Sequence, residues 1–143
     1  MIVDKEKLEK YAPEKGIKFI ILFGSQALGK GMEKSDFDLA VLTTKEKSIS
    51  TLDNYNDVLD FLKGALEISD YKIDLTNLNK ANLFLRYEVI SSGILLYGDE
   101  DEYAGYRAFA FKEYIDSRSL FDLEKFLVKK RQRLLRELLV QSK

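Results

Sequence analysis

Apolar residues in this chain fall either into short unbroken runs or into helically spaced sets, and the alternation of the two lays out a fold. "IKFIILF" (17–23) is apolar, β-branched and aromatic over strand length, which predicts a buried strand. "DFDLAVLT" (36–43) predicts a second strand, and "YKIDLTNL" (71–78) alternates, placing Ile73 and Leu75 on one face of a third. "ILLYG" (94–98) predicts a short fourth. From Asp53 onward Tyr55, Val58, Leu59, Leu62, Ala65 and Leu66 follow helical spacing. A first helix starts at Asp4 as cap, buries Leu8 and Tyr11, and is stopped by Pro13 and Gly16. Another spans 80–92, from an Asn79 cap to Gly93 just past its end. Two helices finish the chain, broken near Ser117–Ser119, where Ser119 and Asp122 resemble a capping box.

The order helix, strand, strand, helix, strand, helix, strand, helix, helix predicts an α+β fold. Its mixed β-sheet has helices packed against it, unlike a regular βαβ repeat. A single domain accounts for residues 1–143, with the core over 1–98 and C-terminal helices over 99–143.

Composition then narrows the chemistry. The chain has no cysteine, which removes disulfides and thiolate metal sites, and no histidine, which removes imidazole catalysis and nearly every zinc site. Carboxylates, lysine, arginine, tyrosine and hydroxyls remain, and carboxylate oxygens suit Mg²⁺ or Mn²⁺. A net charge of −1 gives no overall attraction to nucleic acid or to an anionic membrane. With no run of 18 apolar residues and a charged, amphipathic start, neither a membrane span nor a signal peptide is expected. A cytoplasmic location follows as the expectation.

The stretch "LFGSQALGKGMEKSDFDLAVL" (22–42) concentrates the candidate chemistry. Asp36 and Asp38, two apart on a strand, project from one face. Carboxylates this close raise one another's pKa unless a cation compensates. Gly24 lets backbone approach a phosphate, and Ser25 offers a hydroxyl and an N–H at a helix start. For both pairs to share a site, strands 17–23 and 36–43 must run antiparallel, with Gly29 and Gly31 in the connection. Asp74 lies between Ile73 and Leu75 and faces away from their core side. If its strand lies beside 36–43, a third carboxylate joins the pair, and three acids on two strands suit a two-metal site.

These residues resemble the Gly-Ser-x10-Asp-x-Asp signature of the nucleotidyltransferase superfamily related to DNA polymerase β. The chain's size and the tail after "ILLYGDED" resemble the minimal nucleotidyltransferase (MNT) antitoxins paired with HEPN-family RNase toxins. The resemblance implies a Mg²⁺-dependent protein adenylyltransferase. It would use two Mg²⁺ ions to transfer AMP from ATP to a tyrosine of a partner HEPN toxin, silencing it. By position, Asp36, Asp38 and Asp74 would be the catalytic metal ligands, and Gly24 and Ser25 the nucleotide-binding cradle. One departure stands out: where relatives often carry arginine, this chain has Gln26 and Leu28, leaving Lys30 or Lys34 to supply positive charge.

Plainer readings stand beside these. Asp36 and Asp38 also suit a solvated strand entrance, Asp74 an exposed position paired with lysine, and Ser25 a simple helix cap. The series Tyr103, Tyr106, Phe109 and Tyr114 has the spacing of core residues, and Asp99–Glu102 reads as a solvated acidic loop. "KFLVKKRQRLLREL" carries six basic residues among leucines. A solvated face complementing the helix dipole is preferred there over RNA binding, with toxin docking as a third reading. The alternative to catalysis is an antitoxin that acts as a binding module, occluding the toxin with its nucleotide site incidental. A free-standing transferase acting on an antibiotic or on tRNA fits the motif but not the size.

Overall fold

The computed structural model describes residues 2–29, 36–68 and 72–141. Among the described residues, five α-helices and four strands alternate as α1 (Lys5–Tyr11), β1 (Ile17–Phe23), α2 (Gly24–Ala27), β2 (Phe37–Thr43), α3 (Leu52–Ala65), β3 (Ile73–Asn77), α4 (Leu83–Ser92), β4 (Ile94–Tyr97) and α5 (Glu100–Gln141). The strands form one sheet in the order β3-β2-β1-β4. β1 runs antiparallel to both β2 and β4, whereas β2 and β3 are parallel. The sheet is therefore mixed, and β1 and β2 shared the site's requirement for opposite directions.

β1 is apolar almost throughout because both of its faces are covered. Ile17, Ile20 and Leu22 join Leu39, Val41, Ile73 and Leu75 beneath α1 and α3, where Leu8, Val58 and Leu62 close the layer. Phe19, Ile21 and Phe23 face the other way, with Ala40, Leu78, Val89 and Tyr103 under α4 and α5. Ile17 lies on the same face as Ile20 despite the odd spacing. A register shift between Ile17 and Phe19 in the β1–β2 pairing accounts for it.

Several local expectations are corrected. Asp4 does cap α1, accepting from the Lys7 N–H at 3.1 Å, and Leu8 is buried, but Tyr11 is exposed. α4 begins at Leu83, capped by Asn82, whose side chain accepts from the Leu85 N–H at 2.9 Å. Asn79 instead clamps the end of β2. It accepts from the Thr43 N–H at 3.0 Å and donates to the Thr43 carbonyl at 2.7 Å. Its amide thus substitutes for a missing strand neighbour at a buried residue. Asn79→Ala is expected to cost about 1–3 kcal/mol, the usual range for stranding buried backbone groups. The check is a lower urea midpoint at unchanged slope.

Gly93 follows α4 in extended conformation (φ −74°, ψ 145°), not in the left-handed one of a helix-ending glycine. It is required there by space, since an added Cβ would stand 2.6 Å from Ile21 Cγ2 and run into the Val89 carbonyl. Asp99 and the acids after it are no loop: the Asp99 carboxylate accepts from the Glu102 N–H at 2.8 Å and opens α5. The two expected C-terminal helices are one helix of 42 residues. Ser119 does not cap a new helix; its hydroxyl donates back to the Ile115 carbonyl at 3.4 Å, a bond that a helix interior accommodates.

The first half of α5 is pinned to the domain. Tyr103 and Tyr106 pack on Phe19, with ring centroids 5.5 and 5.8 Å away. Tyr114 stacks on Tyr87 at 3.8 Å, and Arg86 pairs with Glu113 at 2.7 Å. Phe109, by contrast, is 62% exposed and belongs to no core.

Candidate active site

The site end of the sheet is set by β1 running out at Phe23. Gly24 turns the chain immediately with φ +73°, a conformation that suits glycine, and α2 begins there. The register pairs Phe23 with Asp38, so Asp38 enters β2 beside the turn. A Cβ on Gly24 would fall on Asp38 Oδ2 and lie 3.1 Å from Asp38 Cγ. The Gly and the second Asp of the signature are thus one contact: the carboxylate occupies the space a side chain would need.

Asp74 stands opposite Asp38 in the β2–β3 register. Residues directly paired across strands put their side chains on the same face, so both carboxylates project on the α4–α5 side, away from Ile73 and Leu75. The expected facing of Asp74 is found, and the condition left open in the sequence, that its strand lies beside β2, is met. Asp36 sits just before β2 and is exposed, Ser25 is exposed in the first turn of α2, and Leu28 is 56% exposed. Gly29 takes φ +69° in open space. Gly31, Lys30 and Lys34 lie outside the described residues.

The electrostatics tie these groups together. The Asp38 carboxyl is pushed above its ordinary value of 3.8, first by burial and then by the negative charges of Asp74, Asp36 and Glu88. Glu88 is the member that sequence reasoning missed. It reaches the site through topology: α4 runs back from the far end of β3 and delivers the chain to Ile94, which pairs with Leu22 at the site end of β1. No motif marks it.

Among the described residues, no three acidic side chains are drawn close enough to form a ready cage for one metal ion. What the structure offers is an oxygen-only donor set, with one of its members destabilised by its neighbours' charge. A divalent cation bound by Asp36, Asp38 and Asp74 would relieve that repulsion, and hard cations such as Mg²⁺ prefer such ligands. The donor chemistry therefore fits.

Comparison with known proteins agrees with this geometry. The family model described as "Polymerase beta, Nucleotidyltransferase" matches residues 6–102. The chain is 34% identical over 91 residues to the protein adenylyltransferase MntA of Aphanizomenon flos-aquae (strain 2012/KM1/D3), covering 59% of this chain and 61% of that protein. The match thus spans about three-fifths of that relative's length. A toxin–antitoxin structure with AMP-PNP superposes with a TM-score of 0.65 at 21% identity, over 82% of this chain and 91% of that one. The tri-AMPylated Shewanella oneidensis HEPN toxin in complex with MNT antitoxin gives 0.59 at 19% identity, over 81% and 87%. At these identities the structural likeness is one of fold.

Proposed function

Because the chain belongs to the polymerase beta nucleotidyltransferase family, we propose that it transfers AMP from ATP to a tyrosine hydroxyl of a HEPN-type RNase toxin, and so neutralises it. The observation that supports this most is the in-register pair Asp38–Asp74 beside a Gly24 that fits only against the Asp38 carboxylate. The relative named an adenylyltransferase and the AMPylated toxin complex of the same fold support the choice of group and partner.

In this reading Gly24 and Ser25 present backbone N–H groups and a hydroxyl to the phosphates. Asp36, Asp38 and Asp74 would be the ligands of two Mg²⁺ ions, which would supply neutralisation of the triphosphate and a lower pKa for the attacking hydroxyl. The tyrosine oxygen forms a bond to the α-phosphorus, the bond to the bridging oxygen breaks, and pyrophosphate leaves. In this reading Asp74, which is exposed, takes the proton that the hydroxyl loses. Catalysis is then mostly positioning and charge neutralisation. Residues 1–98 form the catalytic unit in this reading, and α5 extends from it. Among the described residues no helix is long and apolar enough to cross a membrane, and a reaction drawing on ATP suits the cytoplasm.

The test uses the full chain with Mg²⁺ and ATP labelled at the α- or the γ-phosphate, in lysate of the source cells. A protein band labelled only from the α-position, and absent with Asp36→Asn/Asp38→Asn, is the expected result. A second reading, neutralisation by occlusion alone, draws on Gln26 and Leu28 standing where positive charge would help hold a triphosphate. It is the better account if the double asparagine variant still protects cells from the toxin.

A further inference from the structure

The face that carries Asp38 and Asp74 holds a cation as well. Ile73 and Leu75 are buried beneath α1 and α3, so Lys72, like Asp74, is turned to the opposite face. It is exposed, and two positions along a strand set it about 6.5 Å from Asp74. The Phe37 N–H donates to the Lys72 carbonyl at 2.9 Å, so the two chains are still paired there. One step beyond Phe37–Ile73 the register brings Lys72 opposite Asp36. With two carboxylates so near, an ion pair would be expected. None forms: the ion pairs among the described residues are Lys15–Asp57 and Arg86–Glu113. A lysine on an acidic face that pairs with none of its acids is left for a ligand.

Sheet order decides which ligand. In the order β3-β2-β1-β4, Lys72 lies two strand spacings from the Gly24–Ser25 turn, about 10 Å, with Asp36 and Asp38 between. In-line displacement at phosphorus puts the attacking and the leaving oxygen on opposite sides. With the phosphates on the β1 side, pyrophosphate leaves there and the acceptor arrives over β3. β3 is an edge strand, which leaves that side open to a macromolecule. We propose that Lys72 is a catalytic residue on the acceptor side: its ammonium meets the tyrosine oxygen and holds the negative charge that develops there as the bond to the α-phosphorus forms. The proposal rests on the adenylyl-transfer reading above and adds the cation that serves its acceptor. Proton, bonds and leaving group go as in that reading, and Lys72 stays an ammonium throughout. A compact charge on a flexible stem suits an oxygen that moves during the reaction.

The test uses the full chain and α-labelled ATP in lysate of the source cells. Lys72→Gln is expected to lower the rate of band labelling about a hundredfold, the scale of losing one charge-stabilising donor, while Lys72→Arg keeps most of it. Because Lys72 is exposed, both variants should melt with the parent. Binding of α,β-methylene-ATP with Mg²⁺, measured by calorimetry without lysate, should be as tight for Lys72→Gln as for the parent. The decisive comparison is lysate of cells grown with 3-fluorotyrosine, whose hydroxyl ionises more readily. There the gap between parent and Lys72→Gln should narrow, whereas the gap left by Ser25→Ala, on the phosphate side, should not. A rate indifferent to Lys72→Gln overturns the proposal. So does weaker binding of the analogue with the rate restored at high ATP, which would put Lys72 on the phosphates. A gap equal in both lysates, the mark of a merely structural part, overturns it too. A band from the parent that ignores Lys72→Gln leaves adenylyl transfer standing; no band from the parent removes that reading and the proposal together.

Discussion

Asp38→Asn is expected to leave the protein at least as heat-stable as the parent at neutral pH while lowering adenylyl transfer by about 10³-fold, the several kcal/mol a catalytic metal contributes. The stability half follows from the sign of the pKa shift. Asp38 in the folded protein holds its proton to higher pH than its ordinary value of 3.8, because of burial and the charges of Asp74, Asp36 and Glu88. The stability from this group is fully present below 3.8 and is lost as pH rises through the folded value. At pH 7 the ionised carboxylate is therefore a burden in the metal-free protein, and asparagine removes it. Melting curves from pH 4 to pH 8 without divalent cations should show the variant's advantage grow with pH. Added Mg²⁺ should then raise the melting temperature of the parent and not of the variant. A variant clearly less stable than the parent at pH 7 would show that Asp38 holds the fold together instead of straining it.

The second large effect is expected at Gly24. Alanine there must adopt φ +73° and put its Cβ onto the Asp38 carboxylate. The backbone alone costs about 1–3 kcal/mol, and the collision pushes the carboxylate out of line, so activity should be lost as well as stability. Gly29→Ala separates the two causes, because Gly29 has φ +69° but nothing within 4 Å of an added Cβ. It should show the backbone cost alone. Asp38→Ala in the Gly24→Ala background should recover part of the lost stability, a coupling that urea melts of all four proteins would measure. Additive effects would mean that the two residues do not press on each other.

How far the sequence revealed this arrangement depends on where the information lay. β1 and β2 are legible because continuous β-branched and aromatic residues leave few other choices. Their antiparallel pairing is legible because Gly24–Ser25 and Asp36–Asp38 could meet in no other way, and the facing of Asp74 follows from the alternation around it, whereas its register opposite Asp38 is fixed only by the β2–β3 pairing. What escaped was mostly tertiary. Asn79 and Asn82 are equally good caps on paper, and the choice falls to Asn82 because Asn79 is engaged by Thr43 across the sheet. The serines near 117–119 look like a helix break, yet α5 is continuous through them, with the Ser119 hydroxyl turned back to the Ile115 carbonyl. Glu88 carries no motif, and its relation to Asp38 exists only once α4 has turned back toward β1. Phe109 has the spacing of a core aromatic, but the face it occupies meets solvent.

The parallel pairing of β3 with β2 has a consequence for the protein as it is made. Asp38 and Asp74 meet only through the crossover that contains α3, and β1 gains its second neighbour only when Ile94–Tyr97 has emerged. Between the appearance of Asp38 and that of Tyr97 a ribosome adding about 5–20 residues per second needs roughly 3–12 s. Throughout that interval the nascent chain displays the whole Gly-Ser-x10-Asp-x-Asp signature without the sheet that makes it a site. Translation halted in that window therefore leaves a fragment that lacks the finished sheet around Asp38.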